Sequence, residues 1–400
     1  MAVTETTRES WGSRLGASLK GIVIGAALFI VAFPILFWNE GDSVRTAKAL
    51  EEGEGAYVAV ESNGVVDPEM DGKLVHMTGK VETKDVLADD EFGISVGGIR
   101  LERRVEMYQW VEDEETVEKK NVGGSVTKTT TYSYSKAWVE RVVDSTQFHV
   151  QSEGGVSYEN PAAFEFAGWK KSAANVKFGA FRFGEDMIAK VGGLKEYEIP
   201  ASFTSKVARV KVQGNVIYVP NRATRLNEKN ERDVVAEARI GDMRVMYKVV
   251  WPHEVSIVAK QQGDTFGAYT AKNGKSICML VDGVKDGAAM FASAKKGNAM
   301  MTWGMRVVGF LMMFIGLSMV LKPLSVLADV LPFLGNLMEM GISLVAGLVA
   351  MICSLVTIAV AWIFYRPILG IGLLVVAAVL IWKLKQGKRG ESAAVEVEKK

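Results

Sequence analysis

Residues 21–38 read GIVIGAALFIVAFPILFW, eighteen positions without a charge. As a helix they would run about 27 Å at 1.5 Å per residue, enough to cross a hydrocarbon core of roughly 30 Å. A signal peptide is the competing reading. No small-x-small cleavage site follows, the apolar run is long, and Trp38 suits an interfacial anchor, so an uncleaved membrane anchor is favoured.

The far end of the chain repeats the pattern. Residues 303–321 and 341–365 are two further spans, and 367–382 is a fourth. Arg306 near the start of the second span can snorkel to the interface. Arg366-Pro367 breaks the last two spans into a hairpin, because proline disfavours helix in the residue before it. Between the second and third spans, residues 322–340 carry Asp329, Glu339 and two prolines, and read as an amphipathic segment lying in the interface. The expected membrane-boundary residues are Trp38, Trp303, Arg306, Arg366 and Trp382. Lys383, Lys385, Lys388 and Arg389 place the 383–400 tail in the cytoplasm, and Arg8, Arg14 and Lys20 place the 1–20 tail there too. Residues 39–302 would then be periplasmic or lumenal.

Composition hides this division. The 400 residues are 49% hydrophobic and 23% charged, with a net charge of +1. Disorder throughout is excluded, and no nucleic-acid partner is expected without a basic face. The mean hydropathy of +0.14 is the one odd value. It is the average of apolar spans and a charged domain.

That domain has strand character. Residues 73–81 are rich in β-formers, and 104–112 alternate, with Val105, Met107 and Gln109 on one face and Glu106, Tyr108 and Trp110 on the other. Gly123-Gly124 between two polar β-rich runs signals a long antiparallel hairpin. Further strands are expected at 207–219, 243–251 and 255–262. A helical stretch is expected from Asn160 through Ala174, a short helix at 184–191, and an amphipathic lead-in at 285–296. The likeness of 104–110 to 244–251, each about thirty residues after another strand-like segment, suggests a duplicated β-unit, with chance as the alternative. The fold class is α+β: four transmembrane helices, one N-terminal and three C-terminal, with a large, mainly antiparallel-β extramembrane domain between the first and second.

A search for chemistry returns little. Cys278 and Cys353 lie in different environments and cannot pair. His76, His149 and His253 have no metal-ligand partner at short spacing, and there is no HExxH, CxxC, Walker A, GxGxxG or GxSxG. The run Glu112–Glu115 lacks EF-hand spacing and, with Lys119-Lys120 nearby, reads as a solvated hairpin tip. No catalytic, cofactor-binding or metal-binding residue is assigned, no cofactor is expected, and the reading is not an enzyme. Paired glycines at 309/316, 341/347 and 370/372 favour close helix association over conduction.

Several motifs, in order along the chain, resemble the transmembrane protein 43 family, also called LUMA. They are Asn39-Glu-Gly41, Leu50-Glu-Glu-Gly53, Val105-Glu-Met-Tyr-Gln-Trp-Val-Glu112, Thr131-Tyr-Ser-Tyr134 with Trp138, and Asn160-Pro161. Gly241-Asp-Met-Arg-Val245, Val258-Ala-Lys-Gln-Gln-Gly-Asp264, the run from Asn298 to Arg306 and Trp362-Ile-Phe-Tyr-Arg-Pro367 continue them. The resemblance implies a four-span protein with a large lumenal domain. In animals it implies the endoplasmic reticulum and inner nuclear membrane, links to lamins and emerin, and self-association. It carries over no catalytic residue. The Val-, Ala- and Gly-rich composition, without an Asn-x-Ser/Thr sequon, suggests a bacterial member in an inner membrane, where no lamina exists.

Two functions are weighed. The first is a non-enzymatic membrane scaffold whose partners are the lipid bilayer, other membrane proteins and a possible second copy of itself. Its candidate interaction residues are Tyr108, Trp110, Tyr132, Tyr134 and Trp138, with core packing as the equal alternative. The second is an envelope ligand- or lipid-handling protein, or an unrecognised membrane enzyme, with polar groups converging near Arg244, His253 and Glu254.

Overall fold

A computed structural model describes residues 2–61, 63–227 and 233–367, which form two compact units. One unit comprises Met1–Thr7, Glu51–Val117 and Lys128–Ala292; the other comprises Arg8–Leu50, Glu118–Thr127 and the chain from Ser293.

The first unit is built on two sheets. Strands β1 (Ala2–Glu9), β2 (Leu74–Thr83), β3 (Arg100–Lys120) and β4 (Val126–Val139) are followed by β5 (Trp169–Ser172), β6 (Val176–Phe178) and β7 (Phe181–Phe183). Helix α2 (Glu185–Lys190) comes next; α1 is the long N-terminal helix Trp11–Ala56. Then come β8 (Lys211–Gln213), β9 (Val216–Val219), β10 (Met243–Val250), β11 (His253–Gln262), β12 (Thr265–Gly267) and β13 (Met279–Asp282). One sheet runs β1-β4-β3-β10-β9-β8, and the other runs β7-β6-β2-β11-β12. The step from β10 to β11 through Trp251-Pro252 carries the chain from the first sheet to the second.

Alternation sets which face each strand buries. On β3, Val105, Met107 and Gln109 are buried, while Glu106, Tyr108 and Trp110 are half-buried, as the sequence pattern predicts. On β10, Met243, Val245, Tyr247 and Val249 point into the same core. β11 is buried on both faces from Val255 to Ala259 because β2 and β13 flank it and the Phe178, Phe181, Phe183 and Phe266 rings cover it. The expected strand at 207–219 is realised as β8 and β9, and the short helix as α2.

Three expectations need correction. Residues 160–174 are not helical: they are irregular until β5, which pairs with the start of β3. Asn160 is tied to the strand instead. Its Oδ1 accepts from Trp110 N at 2.7 Å and its Nδ2 donates to Trp110 O at 2.9 Å, so the amide acts as a partner for the sheet edge. The duplicated unit is absent as well. β3 and β10 are paired neighbours in one sheet, with Val245 opposite Val105, but β2 belongs to the other sheet while β9 pairs with β10. The likeness of the two segments reflects a shared environment as central strands. Finally, residues 322–340 are not one element. They are divided between the end of α3 (Gly287–Ala328) and the start of α4 (Pro332–Tyr365), with a short turn between.

The second unit holds the apolar stretches. Among the described residues, three helices, α1, α3 and α4, are long and apolar enough to cross a membrane. The expected spans 21–38, 303–321 and 341–365 lie within them, and 367–382 falls outside the described residues apart from Pro367. α1 and α3 approach closely at Gly25 and Gly316: a Cβ on Gly316 would lie 2.6 Å from Gly25 O and 2.8 Å from Phe29 N. Only small residues allow such an approach. Gly316→Leu is therefore expected to destabilise the detergent-solubilised protein by about 1–3 kcal/mol in thermal unfolding through overpacking. Gly341→Ala, which meets nothing within 4 Å, should leave the transition unmoved.

Candidate functional site

The apolar helices of the second unit carry a concentrated polar cluster around Glu40. Glu40 follows the first apolar stretch on α1, and its side chain is 2% exposed. Arg306, on the first turns of the expected second span, grips it with two bonds: Nε donates to Oε1 at 2.6 Å and Nη2 to Oε2 at 2.8 Å. Trp362 on α4 adds its Nε1–H to Oε2 at 2.8 Å. The Arg306 guanidinium also stacks over the Trp303 and Trp362 rings, at 4.5 and 5.6 Å from their centroids. One carboxylate thus ties three helices together.

The surrounding groups extend the seam. Asn39 Nδ2 donates to Thr302 O at 3.3 Å, Thr302 Oγ1 donates to Ser43 Oγ at 2.7 Å, and Asn298 Nδ2 donates to Ser43 O at 3.0 Å. Gly41 leaves room for the Tyr365 ring, which a side chain there would strike. An unpaired buried charge costs several kcal/mol, whereas a bidentate pair with every lone pair engaged is tolerated. Arg306 therefore does not need to reach out to water, as its position in the sequence suggests. Its partner lies 266 residues away in the chain.

Of the other residues expected at the membrane boundary, Trp38 and Trp303 are 59% and 64% exposed. Arg366 follows α4 and its N–H closes that helix onto Trp362 O at 2.7 Å. Trp382 lies outside the described residues.

The hairpin aromatics sit in the first unit and pack on one another and on the loop after β4. Tyr134 is 5% exposed, stacked on Tyr158 with centroids 4.2 Å apart and hydrogen-bonded to Glu112 at 2.7 Å. Trp110 meets the same Tyr158 edge-on, Tyr132 stacks on His149, and Tyr108 packs against Trp138. Tyr108, Trp110, Tyr132 and Trp138 are half-buried. Phe148, His149 and Tyr158 of that loop cover Trp110, Tyr132 and Tyr134, whereas Trp138 meets Tyr218 and Arg244.

A second buried polar group escaped the sequence reading. Arg103 Nη1 donates to Asp89 Oδ2 at 2.8 Å and to Glu91 Oε2 at 2.5 Å, and Tyr247 donates to Asp89 Oδ2 at 2.5 Å. Burial opposes the Arg103 charge, but the two carboxylates outweigh it and hold the group above its usual range; burial and Asp89 together push the Tyr247 phenol up. Arg103 links β3 to the short hairpin of Leu87–Asp89 and Ile94–Val96, a structural task. By contrast, Arg244, His253 and Glu254 do not converge. Arg244 pairs with Glu106 in the first sheet, whereas His253 bonds Asp282 at 3.1 Å in the second and Glu254 is exposed. Among the described residues, no group of three or more His, Cys, Asp or Glu side chains could hold a metal ion.

A family model described as Transmembrane protein 43 matches residues 107–367. The chain is 30% identical over 376 residues to Transmembrane protein 43 of Mus musculus and of Homo sapiens, covering 92% of this chain and 90% of each relative. A Drosophila melanogaster homolog is 28% identical over 386 residues, 94% of this chain and 95% of its own. No solved structure matches.

Two outcomes follow from this geometry. Trp362→Phe keeps the ring but removes a donor to a buried carboxylate, and should lower unfolding stability by about 1–3 kcal/mol in chemical denaturation. Burial and the Glu112 bond raise the Tyr134 phenol from 10.0 to about 12. The folded state thus prefers the protonated phenol, so this contribution is complete below pH 10.0 and fades as pH rises to about 12. A Tyr134→Phe variant should lose that fading in alkaline unfolding curves.

Proposed function

The chain belongs to the transmembrane protein 43 family, and from that premise we propose that this multi-pass membrane protein is a non-enzymatic scaffold that organises membrane protein complexes through its extramembrane β-domain. The observation that carries the reading is how its buried polar groups are used. Glu40, Arg306 and Trp362 satisfy one another across three helices, and Arg103, Asp89 and Tyr247 do the same within the β-domain. Groups engaged this fully fix an architecture; a catalytic site needs polar groups left poised toward a substrate. The partners are other membrane proteins and a second copy of this chain, within the bilayer that holds the apolar helices. The membrane is the inner membrane if the source is bacterial, with the β-domain in the periplasm. It is the endoplasmic reticulum or inner nuclear membrane if the source is eukaryotic.

Affinity purification in a mild detergent, with mass spectrometry and sizing of the intact particle, tests the proposal. A particle heavier than one chain that contains stoichiometric membrane-protein partners or further copies is expected. A partner-free monomer would contradict the scaffold and favour the ligand-handling alternative.

A further inference from the structure

We infer that the outer edge of β5 is a docking site for an extended, arginine-bearing peptide of a partner protein, which adds to the first sheet as one more strand. The inference rests on the scaffold reading and gives its partners a chemistry.

Register defines the edge. β5 lies antiparallel to the start of β3, with Trp169 opposite Arg103 and Ser172 opposite Arg100. Ala173 N donates to Ile99 O at 2.9 Å, so Trp169 and Lys171 direct their backbone bonds to β3. Lys170 and Ser172 then turn their N–H and C=O groups to the other side, where among the described residues no strand pairs with β5. Such an edge takes up an extended peptide through main-chain hydrogen bonds, with alternate side chains entering pockets. Lysines can close an edge against pairing. Here Lys171 bends away, its Nζ donating to Ala88 O at 2.8 Å and lying 4.5 Å from the Trp169 centroid, while Lys170 turns to Glu102.

A groove follows this edge. Clefts of about 440 and 600 Å³ share Glu102 and Lys170, and a third of about 310 Å³ continues past Ala174, Phe183 and Gly184. The charges facing the largest cleft select the occupant. Arg100 is already engaged, its Nη2 donating to the carbonyls of Ile188, Ala189 and Val191 at 2.9–3.3 Å. Glu102 is 8% exposed, and among the described residues its ion-pair partner is the Lys170 ammonium at 3.4 Å, on a side chain that is 74% exposed. Glu185 is an exposed second carboxylate of the same cleft. A buried carboxylate held by one solvated amine gains from a better-placed cation. Guanidinium supplies a two-donor fork for Glu102 and a flat face for the Phe183 wall.

The test is fluorescence anisotropy with the purified full chain in detergent and a short, capped, labelled peptide of alternating valine and threonine around one arginine. Saturable binding is expected. Replacing the arginine by citrulline keeps the shape and removes the charge, and should weaken binding by about tenfold or more. Methylating the peptide nitrogens that face β5 should weaken it by a similar factor. Lys170→Ala removes the competing amine and should tighten binding severalfold, whereas Glu102→Gln should weaken it. The peptide changes leave the protein untouched, so they decide the matter even where a variant misfolds. Equal binding of the arginine and citrulline peptides, or no saturable binding of either, would overturn the inference. That failure, with stoichiometric partners still recovered by affinity purification, would leave the scaffold reading standing. Arginine-dependent binding by a partner-free monomer would instead support the docking edge and count against the scaffold.

Discussion

A buried carboxylate amid apolar helices is unstable alone, and the way Glu40 is neutralised constrains the rest of the membrane unit. Its three acceptor contacts come from Arg306 and Trp362, so α1, α3 and α4 must meet at that height and in that rotation. The register so fixed places Gly316 against Gly25 and Leu36 against Gly309. It also brings Asn39 and Ser43 to Thr302. Hydrophobic matching between helices has little directional preference in lipid, so polar groups and small-residue contacts must supply the specificity. The chain concentrates both along one α1–α3 seam.

Two kinds of information in the sequence behaved differently. Periodicity was legible: the faces of β3, the strands at 243–250 and 253–262, the short helix after Gly184 and the three apolar helices all follow from local pattern. Pairing across distance was not. Glu40 reads as one acidic residue after a span and Arg306 as one basic residue inside another, and no local rule joins positions 266 apart. The resemblance motifs held the clue, since Asn39-Glu-Gly41, Asn298 to Arg306 and Trp362 to Pro367 converge in space. A helical stretch is expected from Asn160 through Ala174, but the Asn160 side-chain amide instead completes a strand edge at Trp110. Exposure of the hairpin aromatics was equally out of reach, because the covering loop carries no periodic signal of its own.

The two units share a design habit. In each, long-range contacts are closed by an arginine with carboxylate and aromatic partners: Arg306 with Glu40, Trp303 and Trp362, and Arg103 with Asp89, Phe92 and Trp169. Guanidinium suits this role because its planar fork binds a carboxylate with two bonds while its face lies on a ring. Such hubs are rigid, and rigidity is what a protein needs if its task is to hold others in place.

The most direct test of this account is a double-mutant cycle on Glu40 and Arg306, read by unfolding of the purified full chain in detergent. The account predicts that Glu40→Ala and Arg306→Ala each cost about 3–5 kcal/mol, because each strands the other charge. The double variant should then lose less than the sum, the shortfall being a coupling of about 0.5–3 kcal/mol. Small, additive losses of under about 1 kcal/mol would show the pair to be an ordinary exposed ion pair and would contradict the account.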